Sequence, residues 1–92
     1  MARLLPIGSV VSFAGSPQKY IIYGRLKKTS KNEHVYDYCA CPYPWGRTTA
    51  EQDIAFDNED IDLLHLIGFQ DTEEFVFQHA IEEQYNAVKS NN

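Results

Sequence analysis

Lys19-Tyr20-Ile21-Ile22-Tyr23-Gly24-Arg25-Leu26 and, after a polar break, His34-Val35-Tyr36-Asp37-Tyr38-Cys39-Ala40-Cys41 decide the fold. Both runs are dense in β-branched and aromatic residues, which suit a pleated, half-buried surface. Alternation in the second run puts Tyr36, Tyr38 and Ala40 on one side, and Val35, Asp37, Cys39 and Cys41 on the other. Gly24 inside a strand pattern marks a bulge or the close approach of another backbone. Between the runs, Lys27 to Asn32 reads KKTSKN, a solvated basic loop.

Upstream, Pro6-Ile7-Gly8 is a breaker and Ser9-Val10-Val11-Ser12-Phe13 is a short β-type run. Ala14-Gly15-Ser16-Pro17 is a turn signal, so the first two runs read as a hairpin. Downstream, Pro42 and Pro44 end regular pairing, and Trp45-Gly46 completes a turn-rich tip. Asp53-Ile54-Ala55-Phe56 reads as a short strand. Asp57-Asn58-Glu59-Asp60 is a tight polar turn or the start of a short helix, with Asp60 suited to bonding the turn's own backbone. In Ile61 to Ile67, alternation sets Ile61, Leu63, His65 and Ile67 against Leu64 and Leu66. The favoured reading is a largely buried strand ended by Gly68; a helix from Asn58 is the competing one.

The last segment is the clearest helix. Asp71 or Thr72 can cap it, and Glu73 and Glu74 suit the positive end of its dipole. Phe77, Ile81, Tyr85 and Val88 form a stripe at helical spacing, widened by Val76, Ala80 and Ala87. Lys89 suits the C-terminal end, and residues 90–92 should fray. Together these elements predict one α+β domain over residues 1–92. It is a small antiparallel sheet, or an SH3-like partly open barrel, of about five short strands (about residues 9–67). One C-terminal helix (about 72–89) buries its stripe against the sheet or covers an open edge.

The chain has 92 residues and a net charge of −5, unevenly placed. Residues 1–46 carry Arg3, Lys19, Arg25, Lys27, Lys28 and Lys31 against Glu33 and Asp37, a balance of +4. Residues 47–92 carry Arg47 and Lys89 against eleven acids, a balance of −9. A hydrophobic share of 43% and an aromatic share of 13% are those of a folded domain, not a disordered chain. No apolar run is long enough for a membrane span. Pro6, Gly8, Ser9 and Ser12 break up what would otherwise imitate a signal peptide. Two cysteines and no export signal point to a reducing, cytoplasmic setting.

Catalytic and metal patterns fail one by one. Cys39 and Cys41 share a strand side, but zinc sites place two to four residues between paired cysteines, not one, and need further ligands. His34, His65 and His79 are scattered over separate elements. The cysteines therefore read as small buried hydrophobes. A Cys–His nucleophile pair with His65 lacks a glycine-rich elbow or a helix N-terminus to lower the thiol pKa. The acids from Asp53 to Asp62 miss the EF-hand pattern, since Ile61 and Asp62 fall where a ligand and a glycine belong. A paired-carboxylate hydrolase is disfavoured, because the chain is short for a substrate cleft. No phosphate loop is present, because the glycines are isolated. The reading is no enzyme, with no catalytic, cofactor-binding or metal residues and no cofactor.

Two binding readings stand. Tyr20, Tyr23, Tyr36, Tyr38 and Tyr43 interleave with Lys19, Arg25, Lys27, Lys28 and Lys31, a pattern with which a small barrel could bind single-stranded nucleic acid. The acidic total charge weighs against it. The leading alternative is a protein partner. The tip from Cys41 to Arg47 is stiffened by two prolines and carries Tyr43, Trp45 and Arg47, types enriched at interface hot spots. Tyr23 and Arg25 join them as candidate partner-binding residues. Whether Trp45 is displayed or folds onto the core stays open here, as does the oligomeric state.

Leu4-Leu5-Pro6-Ile7-Gly8-Ser9-Val10-Val11, Ile21-Ile22-Tyr23-Gly24-Arg25, Tyr36-Asp37-Tyr38 and Pro42-Tyr43-Pro44-Trp45-Gly46 occur in a familiar order. Phe56 to Ile61 and Gly68-Phe69 complete the set. Over about residues 4–77 the chain resembles a small Firmicutes family catalogued as domain of unknown function 4176. The resemblance implies a cytosolic protein without assigned enzymatic activity, often encoded near type VII secretion systems and their LXG-type toxins. It implies an adaptor, chaperone or immunity-type role, with a secreted toxin or secretion component as partner. Gly8, Gly24, Gly46 and Gly68 match the family pattern and read as structural glycines, where a side chain would obstruct a turn, a bulge or close packing. A secreted helical-hairpin protein of the same system is rejected. Trp45 and Gly46 are adjacent, Lys89 stands where the export signal wants an acid, and the first half is strand-like.

Overall fold

The computed structural model describes residues 4–31 and 33–90, apart from the side chain of Ala50. Five strands, β1 (Val10–Ser12), β2 (Lys19–Lys28), β3 (Val35–Tyr43), β4 (Ile54–Phe56) and β5 (Leu63–Leu66), precede one helix, α1 (Thr72–Ser90). The strands form one antiparallel sheet in the order β4-β3-β2-β1-β5. β4 and β5 are its two edges, so the sheet is open and not a barrel. The α+β class is as expected. The places of Asn32 in the basic loop and of residues 91–92 in the frayed end lie outside the described residues.

The β2–β3 ladder is the backbone of the fold. It runs from Lys19 opposite Tyr43 to Lys28 opposite Val35, so Lys27 and Lys28 belong to the strand and not to the loop. Its register shifts between Ile22 and Gly24, leaving Tyr23 as the extra residue of a bulge. The bulge keeps Tyr20, Ile22 and Arg25 on the face of Pro42, Ala40 and Tyr38. Pro42 does not end the pairing; it lies inside β3, opposite Tyr20. The reason is that β4 pairs only with Tyr38–Ala40, which leaves β3 a free side at Pro42, where a missing N–H costs no ladder bond.

The core lies on one face of the sheet. Leu4, Val11, Ile22, Tyr38, Ala40 and Phe56 form its buried cluster, and Ile81 and Tyr85 of α1 pack against it. Phe13 and Tyr38 both stack on Phe56, with ring centroids 4.8 and 5.4 Å apart. Burial pushes the Tyr38 hydroxyl up to about 12, while the Leu5 N–H bonds it and works the other way. That hydroxyl in turn donates to Asn58 Oδ1.

The acidic turn folds as one turn of 3-10 helix, Asn58–Asp60. Asp60 Oδ2 accepts from the Asp57 N–H at 3.0 Å, the local backbone bond that the sequence suggested. The next segment is a strand and not a helix, but it is not buried. β5 lies at the sheet edge and all its side chains are exposed. Alternation does not show whether a face is covered: Leu63 and Leu66 fall on the face turned away from α1, and Leu64, on the helix side, is still 45% exposed.

The helix stripe also differs from the one expected. Ile81 and Tyr85 do face the core, but Phe77 is half exposed, and Val76, Ala80 and Ala87 are exposed. The buried position is Gln78, whose Nε2 donates to Leu4 O at 2.6 Å and Glu74 Oε2 at 2.8 Å. No helix among the described residues is long and apolar enough to cross a membrane.

Candidate protein-binding surfaces

The five residues expected at a partner surface separate into three places. Tyr23 and Arg47 come together. The bulge in β2 exposes Tyr23, and the chain returning from the β3 tip brings Arg47 over its ring, 5.9 Å from the centroid. Asp53, just before β4, joins them. Its Oδ2 accepts from the Tyr23 hydroxyl at 2.8 Å and from Arg47 Nε at 2.6 Å. Asp53 Oδ1 is buried without a hydrogen-bond partner. Burial, and then the bond to Asp53, push the Tyr23 hydroxyl up to about 12.

This cluster borders a shallow hollow of about 600 Å³ that also takes in Lys27, Lys31 and Cys39. Burial pushes the Cys39 thiol up, which makes it a poor nucleophile at neutral pH. Cys39 and Cys41 are both free and buried. Among the described residues, no group of three His, Cys, Asp or Glu side chains could hold a metal ion.

Tyr43, the last residue of β3, and Trp45, just beyond it, occupy a second place, the tip. Trp45 does not fold onto the core: it is 66% exposed. Both rings line a small hollow with Pro17 and Gln18, which precede β2, and Lys19, its first residue. Gln18 Nε2 donates to Tyr43 O at 2.7 Å and ties the tip to β2.

Arg25 lies in a third place, inside. Its guanidinium makes a two-pronged ion pair with Glu74 of α1 at 2.7 and 3.0 Å, and its side chain is only 6% exposed. The bulge at Tyr23 is the cause, since it turns Arg25 onto the helix side of the sheet. Arg25 joins helix to sheet and does not share a surface with Tyr23. The tyrosines likewise spread out: Tyr38 is in the core and Tyr20 packs against it, while Tyr23 and Tyr43 are exposed.

A further series of exposed apolar side chains was not among the sequence candidates. Leu63, Leu64 and Leu66 of β5, then Ile67 and Phe69, are all more than two-fifths exposed, Phe69 at 79%. Phe75, Val76 and Phe77 of the first helical turns continue the series. Pairing fixes which way the β5 side chains point. Leu64 lies across from Val11, on the helix side. Leu66 pairs with Val10, which pairs with Ile21, which pairs with Cys41, so these four share the face that α1 leaves uncovered. Leu63, Ser12, Lys19 and Tyr43 form a second row on that face. His65, the extra residue of a bulge against β1, bonds Ser12 Oγ at 2.8 Å. One sequence signal could have exposed this surface: no lysine, arginine or proline occurs between Thr48 and Val88.

A family model described as a domain of unknown function, DUF4176, matches residues 4–77. The chain belongs to the DUF4176 family. The match includes β1 to β5 and the first turns of α1, so both the tip and the β5 edge lie within the DUF4176 domain. No curated protein matches the chain, and no solved structure does.

Proposed function

We propose that this DUF4176 protein is a non-enzymatic protein-binding accessory module, an adaptor, chaperone or immunity-type factor. The observation that carries the reading is the run of large exposed apolar side chains from Leu63 to Phe69 on an open sheet edge. Leucines, isoleucine and phenylalanine in water are unfavourable by roughly 25 cal/mol for each Å² of apolar surface left uncovered. A concentrated patch of that kind marks a surface meant to be covered. The tip supports the same reading, with Trp45 and Tyr43 displayed where hot-spot side chains belong.

The partner we infer is the one the family resemblance implies: a secreted toxin or a component of a type VII secretion system, met in the cytoplasm. Co-expression with the product of a neighbouring toxin gene, followed by size-exclusion chromatography, tests this. A stoichiometric complex is the expected result. Recovery of the chain alone at matched expression contradicts the reading.

A further inference from the structure

The outer side of β5 has no strand beside it. An edge strand presents a row of backbone N–H and C=O groups, and folded proteins commonly blunt such rows with lysine, proline or a covering segment. β5 reads Leu63-Leu64-His65-Leu66, with neither lysine nor proline in or near it. The opposite edge is different. β4 has three residues, all buried or half-buried, and offers little apolar side chain to a newcomer. The sheet is therefore adhesive at one edge only.

The surroundings of β5 also carry a sign. Glu59, Asp60 and Asp62 precede the strand and Asp71 and Glu73 follow it, all exposed. The Asp62 N–H bonds Ser12 O at 3.0 Å, which places Asp62 at the start of the β1–β5 ladder. Two basic residues packed near the helix are engaged elsewhere, Arg25 with Glu74 and Lys89 with Asp57 and Asp37, while Lys19, in the row of Leu63, lies two strands away over the Tyr43 ring.

We propose that β5 docks an extended, basic segment of a partner protein, which adds to the sheet as a further strand. Its alternate apolar side chains would land on the uncovered face beside Leu63 and Leu66, and its lysines or arginines would meet Asp62 and the acids around it. In strand addition of this kind, main-chain bonds give affinity and alternate side chains give specificity. β5 is four residues long and bulged at His65, so the ladder is short and apolar burial supplies most of the binding. A second copy of this chain fits less well. Two β5 edges paired with each other bring acidic flanks of like sign together, in chains that each carry −5.

The inference rests on the protein-binding reading and is tested with peptides on the isolated chain. One peptide alternates valine with lysine; the other alternates valine with glutamate. The lysine peptide should slow hydrogen exchange of the amides of residues 62–67, bind more weakly as salt rises, and bind at least about tenfold better than the glutamate peptide. Asp62→Lys should narrow that preference. Leu64→Lys with Leu66→Lys should abolish binding at an unchanged melting temperature, because both side chains are already half exposed. Should that variant lose its fold, the exchange map of the unaltered protein decides.

Absence of protection on β5, or equal binding of the two peptides, overturns the proposal. So does a concentration-dependent dimer of the chain alone that protects the same amides. A co-expressed complex that persists in the Leu64→Lys, Leu66→Lys variant overturns the edge and leaves the protein-binding reading standing. Peptide docking on β5 without any co-expressed complex supports the edge and overturns the secretion-linked reading alone.

Discussion

Gly24 and Gly68 show how much a missing side chain decides. A Cβ on Gly24 would stand 2.6 Å from Cys39 Sγ, so the glycine beside the β2 bulge leaves room for a buried thiol on β3. A Cβ on Gly68 would overlap the Ile7 carbonyl, where the chain leaving β5 presses against the segment before β1. The Gly68 N–H donates to Ser9 Oγ there at 2.9 Å. A backbone carbonyl cannot swing aside as a side chain can. Gly68→Ala should therefore cost on the order of 3 kcal/mol in urea unfolding, the upper part of the overpacking range. Gly24→Ala should cost less, and less again in a Cys39→Ala background. Gly24 was legible as a bulge or close approach, because strands seldom carry glycine without such a reason. Gly68 read as the end of a strand and, through the family pattern, as a structural glycine; what it packs against, Ile7, lies far back in the chain, where no local pattern can reveal it.

Helix α1 is held by a polar stripe. Glu74, Gln78, Ile81, Tyr85 and Lys89 recur at helical spacing along the side that meets the sheet. Three of the five are polar or charged, so a search for apolar periodicity finds instead the neighbouring stripe through Phe77. The Arg25–Glu74 pair fixes the N-terminal half. Glu74→Ala leaves a buried guanidinium unpaired and should cost about 3–5 kcal/mol. The double variant Arg25→Met, Glu74→Leu should recover much of that loss, and a double-mutant cycle in chemical denaturation checks it.

At the other end Lys89 Nζ meets Asp57 Oδ1 at 2.9 Å, Asp37 Oδ1 at 3.1 Å and Val35 O at 3.2 Å. Burial disfavours the Asp57 charge, but bonds from Lys89, His34 and the Asp37 N–H outweigh it and hold the carboxyl below its ordinary 3.8. A carboxyl lowered on folding stabilises the fold fully above the ordinary value, and the effect is lost as pH falls through the folded one. Stability should thus fall with acid below about pH 4, and Asp57→Asn should flatten that limb in a pH series of melting temperatures. Burial likewise disfavours the Lys89 charge, but bonds to Asp57 and Asp37 prevail and raise its pKa above 10.5. Its contribution is present below that value and is lost only as pH rises through the folded one.

Across the whole molecule, the +4 and −9 halves of the chain are joined by ion pairs that include the buried Arg25–Glu74 and the partly buried Lys89–Asp37. The surplus acid remains around β5 and on the exposed side of α1. The order of elements was legible because strong β runs, turn residues and a capped helix leave local signatures. Strand order was not, because β1 sits between β2 and β5, and that pairing depends on the whole chain. With strand order went the exposure of Leu63, Leu64 and Leu66: leucines on both sides of a strand look the same in a centre and on an edge. Tyr43 and Trp45 were legible as a tip because Pro42 and Pro44 bracket it, whereas the meeting of Tyr23, Arg47 and Asp53 needed the bulge to turn Tyr23 outward.

Docking of a protein partner on the β5 edge is the proposal from which the other readings of this surface follow. Hydrogen exchange on the co-purified complex, compared with the chain alone, tests it most directly. Slowed exchange across residues 62–67 is expected in the complex. Protection confined to residues 43–53 at the tip and the Tyr23–Arg47 cluster, with β5 exchanging as in the free chain, would contradict it.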